Sequence, residues 1–365
     1  MAEIQRLRNS AWEAIGSATV GKSERTRYWK AWENHCKLYQ TSSSGTPPPN
    51  AANMLLTFAV AVREGQYGLG SQVKVQSVSK ALRAVAQKYV LDGHQDPRKS
   101  YPAQHHLDLP IARLIKKYAD DDPPAEPKLA VPVSTVKKIA KHYSFSDHHK
   151  AVADLCIIAF FYLLRVGEYT TSTPARQQEK RTTALRRCDI RLWHKNKLLK
   201  HTSPLATLLK ADSATICPAK TKNGVKGAVV HQEAIGGAAC PVAALARRIH
   251  NINHSSQACP ISVVFHHNKQ PTRISDRDIT VAVRWGAAND NLLDRGYTID
   301  RVSSHSLRAG GAMALKLAGF PTDTIMRMGR WTSNTYMTYI HSQIGALAKG
   351  LAWRMSKHHT FHNVG

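Results

Sequence analysis

Apolar side chains recur at helical spacing along the first third of the chain. Between Ser23 and Tyr39 they come every three or four residues, which places them on one face of a helix, and Ser23 is a residue type that caps helix N-termini. This stripe consists of Tyr28, Trp32, Cys36 and Tyr39. The same spacing predicts helices over residues 51–64, 77–89 and 109–118. No segment before residue 125 has convincing strand character, so the N-terminal part is predicted to be helical.

The pattern becomes mixed after residue 131. Helical spacing continues over residues 132–143, 149–164, 240–250, 276–285, 306–318 and 322–328. Strand-like segments lie at residues 189–193, 215–220 and 228–235, with KNGVKG (222–227) as a glycine-containing turn between the last two. The predicted fold class is mainly α with a small antiparallel β-sheet, arranged as a helical N-terminal domain followed by an α+β domain.

One segment separates these two patterns. DDDPPAEPK (120–128) combines a charge run with prolines, which cannot continue a helix and bury nothing. A chain of 365 residues is also long for one core and sufficient for two. We therefore predict a helical domain at residues 1–122, a linker at residues 120–131 and a second domain at residues 128–365.

The apolar runs and the cysteines predict an intracellular protein. The longest apolar run, residues 155–164, is too short to span a bilayer and predicts a helix buried on all sides. The N-terminal sequence lacks the apolar run of a signal peptide. The 6 cysteines have neither CxxC spacing nor the density of a secreted scaffold. We expect reduced thiols and no membrane association, in the nucleus if the host is eukaryotic and otherwise in the cytoplasm or nucleoid.

The charge balance indicates the class of partner. Lys and Arg number 51 against 25 Asp and Glu, a net charge of +26, and such an excess favours a polyanion. Because the basic residues are spread through foldable segments, we expect nucleic acid; a basic but otherwise ordinary enzyme is the alternative. Arg25, Arg27 and Lys30, on or near the first predicted helix, are candidate contacts to a DNA backbone, although exposed cations on helices are usually only solvated.

Two segments of the second domain carry charged residues at chemically useful places. Arg165 ends the apolar helix, where an unpaired charge would be costly to bury, and Glu168 three residues later would pair with it and aim it. Lys220 and Lys222 would share one face of the predicted hairpin, because side chains alternate along a strand. A purely structural ion pair and solvated lysines are the alternative interpretations.

The segment SSHSLRAGGA (303–312) combines a histidine, an arginine and a run of small residues. His305 and Arg308 are three residues apart and would point the same way from a helix. The small residues 309–312 beside them would let a phosphate approach the backbone, where Arg offers a bidentate fork and His a proton near neutral pH. The alternative is a helix face that packs on a neighbouring element.

Together, five short motifs resemble those of the tyrosine recombinase, or phage-integrase-like, family, in the family's order. That family carries an arginine in an LLRxxE helix, a lysine in a TK or SK hairpin, an HxxR pair, a GH or GW element and a tyrosine nucleophile before Ile or Thr. The matching segments are LLRVGE (163–168), TKN (221–223), HSLR (305–308), GRW (329–331) and MTYI (337–340). The resemblance covers residues 130–345, and SSHSLRAGGA with MGRW is most similar to recombinases of eukaryotic mobile elements.

The resemblance implies a DNA site-specific recombinase or integrase that uses no metal, nucleotide or other cofactor. Tyr339 would attack a phosphate of duplex DNA to form a 3′-phosphotyrosyl link, with His305 accepting its proton. Arg165 and Arg308 would hold the non-bridging oxygens, and Lys222 would protonate the leaving 5′-oxygen. The implied assembly is a homotetramer on double-stranded DNA, in which the two domains of each copy clamp the duplex.

One position departs from the family's pattern. The family usually places His or Trp nine residues before the nucleophile, where this chain has Arg330. Either Trp331 fills this role through a one-residue shift, which we favour, or Arg330 contacts the phosphate itself. Tyr336 is interpreted as a packing or DNA-contacting residue. The departure keeps open a catalytically decayed DNA-binding protein derived from a mobile-element recombinase. A type IB topoisomerase-like enzyme, which shares the tyrosine chemistry, is a further alternative.

Overall fold

A computed structural model of the chain divides it into two compact units, Met1–Ala125 and Glu126–Gly365. It describes residues 22–43, 45–68, 71–99, 106–124, 128–171, 182–219, 228–267 and 269–333, together with Arg6 and Met337. Each unit has its own hydrophobic core. The predicted fold class, mainly α with a small antiparallel sheet, is confirmed.

The described part of the first unit consists of helices without strands. They are α1 (Lys22–Leu38), α2 (Ala51–Arg63), α3 (Val75–Leu91) and α4 (Leu109–Asp121). Trp32 of α1 is fully buried, and its indole N–H donates to the Tyr89 hydroxyl of α3 at 3.0 Å. Tyr28 and Cys36 of the predicted stripe also face the core, whereas Tyr39 lies beyond the helix and is exposed. The prediction that Ser23 caps α1 was wrong, because the helix begins at Lys22 and Ser23 lies inside it.

A buried histidine lies at the C-terminal end of α1. The ring of His35 is 3% exposed, with Nδ1 2.8 Å from the Tyr67 hydroxyl and Nε2 3.0 Å from Oγ1 of Thr57. Burial lowers the pKa of His35, against a smaller opposing effect of the Met54 backbone. The folded chain therefore holds this ring neutral over a range in which an unfolded chain would protonate it.

We expect the free energy of unfolding to fall as the pH drops from about one unit above to about one unit below the ordinary histidine pKa of 6.5. The unfolded chain gains a proton at His35 across this window and the folded chain resists it, so acid favours unfolding. Urea unfolding at the two pH values measures the effect. His35→Gln should reduce this pH dependence, and an unchanged dependence in that variant would contradict the assignment.

The two ends of the predicted linker are attached to their own units. Asp122, directly after α4, accepts bonds from Nη1 of Arg63 at 2.5 Å and from the backbone N–H of Val75 at 2.7 Å. Residues 129–131 are buried, and the Val131 N–H donates to the Ser306 carbonyl at 3.2 Å. The described residues of 120–128 are exposed apart from Asp122, as expected, whereas residues 129–131 of the predicted linker are buried and belong to the fold of the second unit.

The second unit is mostly helical. Its described residues form the helices α5 (Val133–His142), α6 (Asp147–Phe161), α7 (Val166–Tyr169), α8 (Leu205–Leu208), α9 (Pro241–Asn251), α10 (Asp276–Asn289), α11 (His305–Leu317) and α12 (Thr322–Gly329). Every residue of α6 from Ala151 to Phe160 is buried, as predicted for this run. The helix ends at Phe161, so residues 162–164 of the predicted helix are buried but not helical. Among the described segments, no helix is long and apolar enough to cross a bilayer.

The described part of the second unit also contains two small antiparallel sheets. The larger has strands β1 (Ile190–His194), β2 (Lys197–Leu198), β3 (Ser213–Ile216) and β4 (Val230–Glu233) in the order β2-β1-β3-β4. Ile190 pairs with Ile216, which in turn pairs with Val230, so these apolar residues form one buried face. A separate hairpin of β5 (Val263–His266) and β6 (Lys269–Arg273) was not predicted. The predicted turn at 222–227 lies outside the described residues.

Candidate active site

Arg165 lies where the chain leaves the buried helix α6 and enters the short helix α7. It is the N-cap of α7, and its backbone N–H donates to Oε2 of Glu168 at 2.8 Å. Its guanidinium Nη1 donates to Oε1 of the same carboxylate at 3.3 Å. The predicted pairing of Arg165 with Glu168 is confirmed. The Arg165 side chain is 16% exposed, whereas Glu168 is fully buried.

Glu168 has a second basic partner, from the other end of the unit. Nη2 of Arg330 donates to Oε2 of Glu168 at 2.8 Å and to the carbonyl of Leu163 at 3.2 Å. The Arg330 side chain is 1% exposed, and burial lowers its pKa while Glu168 opposes that shift. Arg330 was predicted as a DNA contact, but its guanidinium is enclosed and bound to a carboxylate in the DNA-free chain, so that role stays a prediction.

Arg308, from the first turns of α11, is enclosed in the same region. Its side chain is fully buried, and its guanidinium donates to the carbonyls of Leu163 and Gly329. The ring of Trp331 lies over it, with the guanidinium carbon 4.2 Å from the ring centroid. Such a cation–π contact adds to the attraction when both groups are desolvated.

The turn after α12 determines where Trp331 lies. Arg330 ends this helix in the left-handed region, at a φ of 55°, and the Trp331 N–H turns back to donate to the Met326 carbonyl at 2.9 Å. The indole then covers Gly329, where a Cβ would overlap the ring. Glycine at 329 is therefore required by the tryptophan two residues later.

The predicted phosphate approach beside His305 and Arg308 is not how the small residues are used. A Cβ on Gly310 would overlap the Val131 carbonyl oxygen, and one on Gly311 would overlap the carbonyl oxygen of Phe160. The alternative interpretation, a small face that packs on neighbouring elements, is the correct one. His305 itself is exposed at the start of α11 whereas Arg308 is fully buried, so the two residues lie in different surroundings.

Leu163 is a member of this network that sequence reasoning missed. Its carbonyl accepts bonds from both Arg308 and Arg330. It adopts a φ of 48°, which is uncommon for a residue with a side chain. Leucine carries no sequence signal for that conformation.

Several predicted site residues fall outside the described residues or away from this network. Lys220, Lys222, Tyr336 and Tyr339 lie outside the described residues, so their roles stay predictions. On α1, Arg27 and Lys30 are exposed and Arg25 is half-buried. Within the described residues, no group of three or more His, Cys, Asp and Glu side chains could hold a metal ion.

No protein-family model and no curated protein sequence matches the chain. Among solved structures, the chain is similar to the XerA recombinase at 15% sequence identity and a TM-score of 0.37, over 98% of this chain and 99% of that chain. It is also similar to the Tn1549 transposon integrase in complex with circular intermediate DNA, at 12% identity and a TM-score of 0.45, over 88% of this chain and 92% of the other. It is likewise similar to the same integrase in complex with transposon right end DNA, at 12% identity and a TM-score of 0.46, over 89% of this chain and 92% of the other.

Proposed function

We propose that this chain breaks and rejoins duplex DNA through a covalent 3′-phosphotyrosyl link at Tyr339. The observation that supports this most strongly is the convergence of segments 163–168, 305–308 and 329–331, which carry three of the five family-like motifs. The carbonyl of Leu163 and the carboxylate of Glu168 bind arginines from all three segments. Such a concentration of buried guanidinium groups suits a phosphate.

In this proposal, Arg165 and Arg308 neutralise the charge that develops on the non-bridging oxygens during attack. Arg165 is the partly exposed one, and so it is the first that an incoming phosphate would meet. Arg308 is fully buried and donates to two carbonyls, so in this proposal it exchanges a carbonyl partner for the phosphate. Electrostatic stabilisation of this kind is usually the largest contribution to catalysis.

The proton transfers are assigned to residues from other segments. A tyrosine hydroxyl has a pKa near 10 and is a weak nucleophile at neutral pH, so Tyr339 needs a base, and the exposed ring of His305 is our candidate. Lys222 is proposed to protonate the leaving 5′-oxygen. A 5′-hydroxyl from another strand would then attack the phosphotyrosine and reseal the DNA, within an assembly that we propose to contain four copies.

The test is the detection of protein–DNA adducts that resist SDS. Purified protein is incubated with a library of end-labelled nicked duplexes, and labelled protein is resolved on a denaturing gel. Tyr339→Phe should abolish the adduct, whereas Tyr336→Phe, the matched control in the same segment, should keep it. An adduct that survives Tyr339→Phe would refute the choice of nucleophile.

DNA binding itself can be tested on α1. Replacing either Arg27 or Lys30 by Gln should weaken binding to any duplex and reduce the slope of log affinity against log salt by about 1, because one fewer phosphate is neutralised. Fluorescence anisotropy of a labelled duplex over a salt series measures the slope. Lys117→Gln is the control, because that lysine is exposed on α4 and pairs with Asp121 at 2.5 Å. An unchanged slope in both α1 variants would show that this face does not contact DNA.

A second candidate function is DNA binding without turnover. The fully buried side chain of Arg308, bound to two backbone carbonyls, favours it, because a guanidinium used in this way can be retained for structure alone. Duplex binding by the wild type without an adduct on any member of the nicked library would support this candidate. Relaxation of supercoiled DNA without strand exchange would instead support a topoisomerase-like activity.

A further inference from the structure

We propose that Arg330 is a positioning residue that holds Arg165 in place through Glu168, rather than a ligand of DNA. This inference rests on the proposed function, in which Arg165 contacts the reacting phosphate. Arg330 and Glu168 are 162 positions apart in the chain, so only the fold brings them together.

The two oxygens of Glu168 are divided between the two guanidinium groups. Oε1 accepts from the Arg165 side chain at 3.3 Å. Oε2 accepts from the Arg165 backbone at 2.8 Å and from Arg330 at 2.8 Å. The carboxylate is therefore held on the side of Arg330, and its opposite oxygen is left pointing at the guanidinium of Arg165.

Arg165 is the partly exposed end of this series of contacts, and the other two side chains are buried. The side chains of Arg165, Glu168 and Arg330 are 16%, 0% and 1% exposed. An ion pair between solvated side chains is loose and screened, whereas the pair between Glu168 and Arg330 is enclosed on both sides. The enclosed pair of Glu168 and Arg330 is thus fixed in position, and it orients the guanidinium of the partly exposed Arg165.

The backbone of Arg330 supports the same role. Its left-handed conformation is one that glycine adopts far more readily than arginine, so a residue chosen for the turn alone would be glycine. The guanidinium is also bound on its other sides, with Nη1 donating to the Met328 carbonyl at 3.3 Å and Nη2 to that of Leu163 at 3.2 Å. These bonds fix the guanidinium against which Glu168 rests.

Removing this support should misplace Arg165 without removing it. A displacement of about 1 Å in a group that orients the reacting atoms costs about 10²-fold in rate. We therefore expect Arg330→Met to form adduct about 10²-fold more slowly than wild type while binding duplex DNA with equal affinity. Arg330→Lys should recover part of the rate, because an ammonium can reach Glu168 but lacks the planar fork.

The experiment compares these two variants with wild type and with Arg247→Met. Arg247 bonds the buried Asp154 at 2.8 and 2.5 Å, so its loss breaks another ion pair of the same unit outside the site. Single-turnover adduct formation on the nicked duplex library, anisotropy with one labelled duplex, and the Arg165 Nε–H resonance of the DNA-free protein are measured for each at a temperature where all are folded. The resonance is assigned by its loss in Arg165→Lys.

The inference requires that Arg330→Met shift the Arg165 resonance and slow adduct formation at unchanged affinity, and that Arg247→Met do neither. An unmoved Arg165 resonance in Arg330→Met would overturn it whatever the activity. So would a loss of DNA affinity equal to the loss of rate, because Arg330 would then contact DNA directly. If wild type forms no adduct, the proposed function fails, and the resonance still decides whether Arg330 positions Arg165.

Discussion

Replacing Glu168 by Ala is expected to lower the free energy of unfolding by about 3 to 5 kcal/mol. Glu168 is fully buried, and it is the carboxylate that the enclosed guanidinium of Arg330 binds at 2.8 Å. Removing one partner of a buried ion pair leaves the other charge buried without compensation, which is strongly destabilising. The loss should appear in urea unfolding at neutral pH as a lower midpoint with an unchanged slope.

An exposed acid provides the matched control. Glu24 pairs with Lys80 at 3.3 Å, and both side chains are well exposed, so Glu24→Ala should change stability by no more than about 1 kcal/mol. Glu168→Gln separates charge from shape, because it keeps a hydrogen-bonding group of the same size at 168. A loss in Glu168→Ala as small as that of Glu24→Ala would show that the Glu168 contacts do not hold this region together.

Replacing Gly311 by Ala is expected to lower the free energy of unfolding by about 1 to 3 kcal/mol, the usual cost of overpacking a core. The same change in an unobstructed helix would raise stability by about 1 kcal/mol, so the sign itself is informative. The added methyl would overlap the Phe160 carbonyl oxygen, and backbone cannot move aside as a flexible side chain can. Thermal or urea unfolding measures the change.

The opposite substitution on the same helix separates packing from helix propensity. Ala314 lies one turn further along α11 and is only partly buried, so Ala314→Gly should cost about 1 kcal/mol from propensity alone. Gly310→Ala should behave like Gly311→Ala, because its added methyl would overlap the Val131 carbonyl oxygen. Stabilisation by Gly311→Ala would mean that α11 is not held against α6 as closely as the structure has it.

The helices could be predicted because their signal is local. The apolar spacing of residues 51–64 gave α2 to within one residue of its end at Arg63, and Pro241 marked the first turn of α9. The hairpin β5–β6 was missed because its second strand, KQPTR, has no apolar alternation and contains a proline. A two-stranded hairpin accommodates such a strand because one edge pairs with no neighbouring strand.

The site was predictable where its contacts are local and not where they are distant. Arg165 and Glu168 are three residues apart, so their closeness in the chain was enough to suggest the pair. The bond between Glu168 and Arg330 depends on the packing of the whole unit, so the sequence could not show it. The place of residue 330 in a family-like motif suggested that Arg330 contacts a phosphate instead. The glycines of α11 were interpreted as room for a ligand, because a sequence shows that a face is small but not which atoms occupy it.

The ring of Trp331 can serve as a spectroscopic probe of the region, without a chemically attached label. It lies 4.2 Å from the guanidinium of Arg308, close enough for a displaced cation to alter its electronic surroundings. Growth on 5-fluorotryptophan would give each of the 7 tryptophans its own fluorine signal, and Trp331→Phe would identify the relevant line. A titration with duplex DNA would then report, in solution and in real time, whether Arg308 leaves its carbonyl partners when a phosphate arrives.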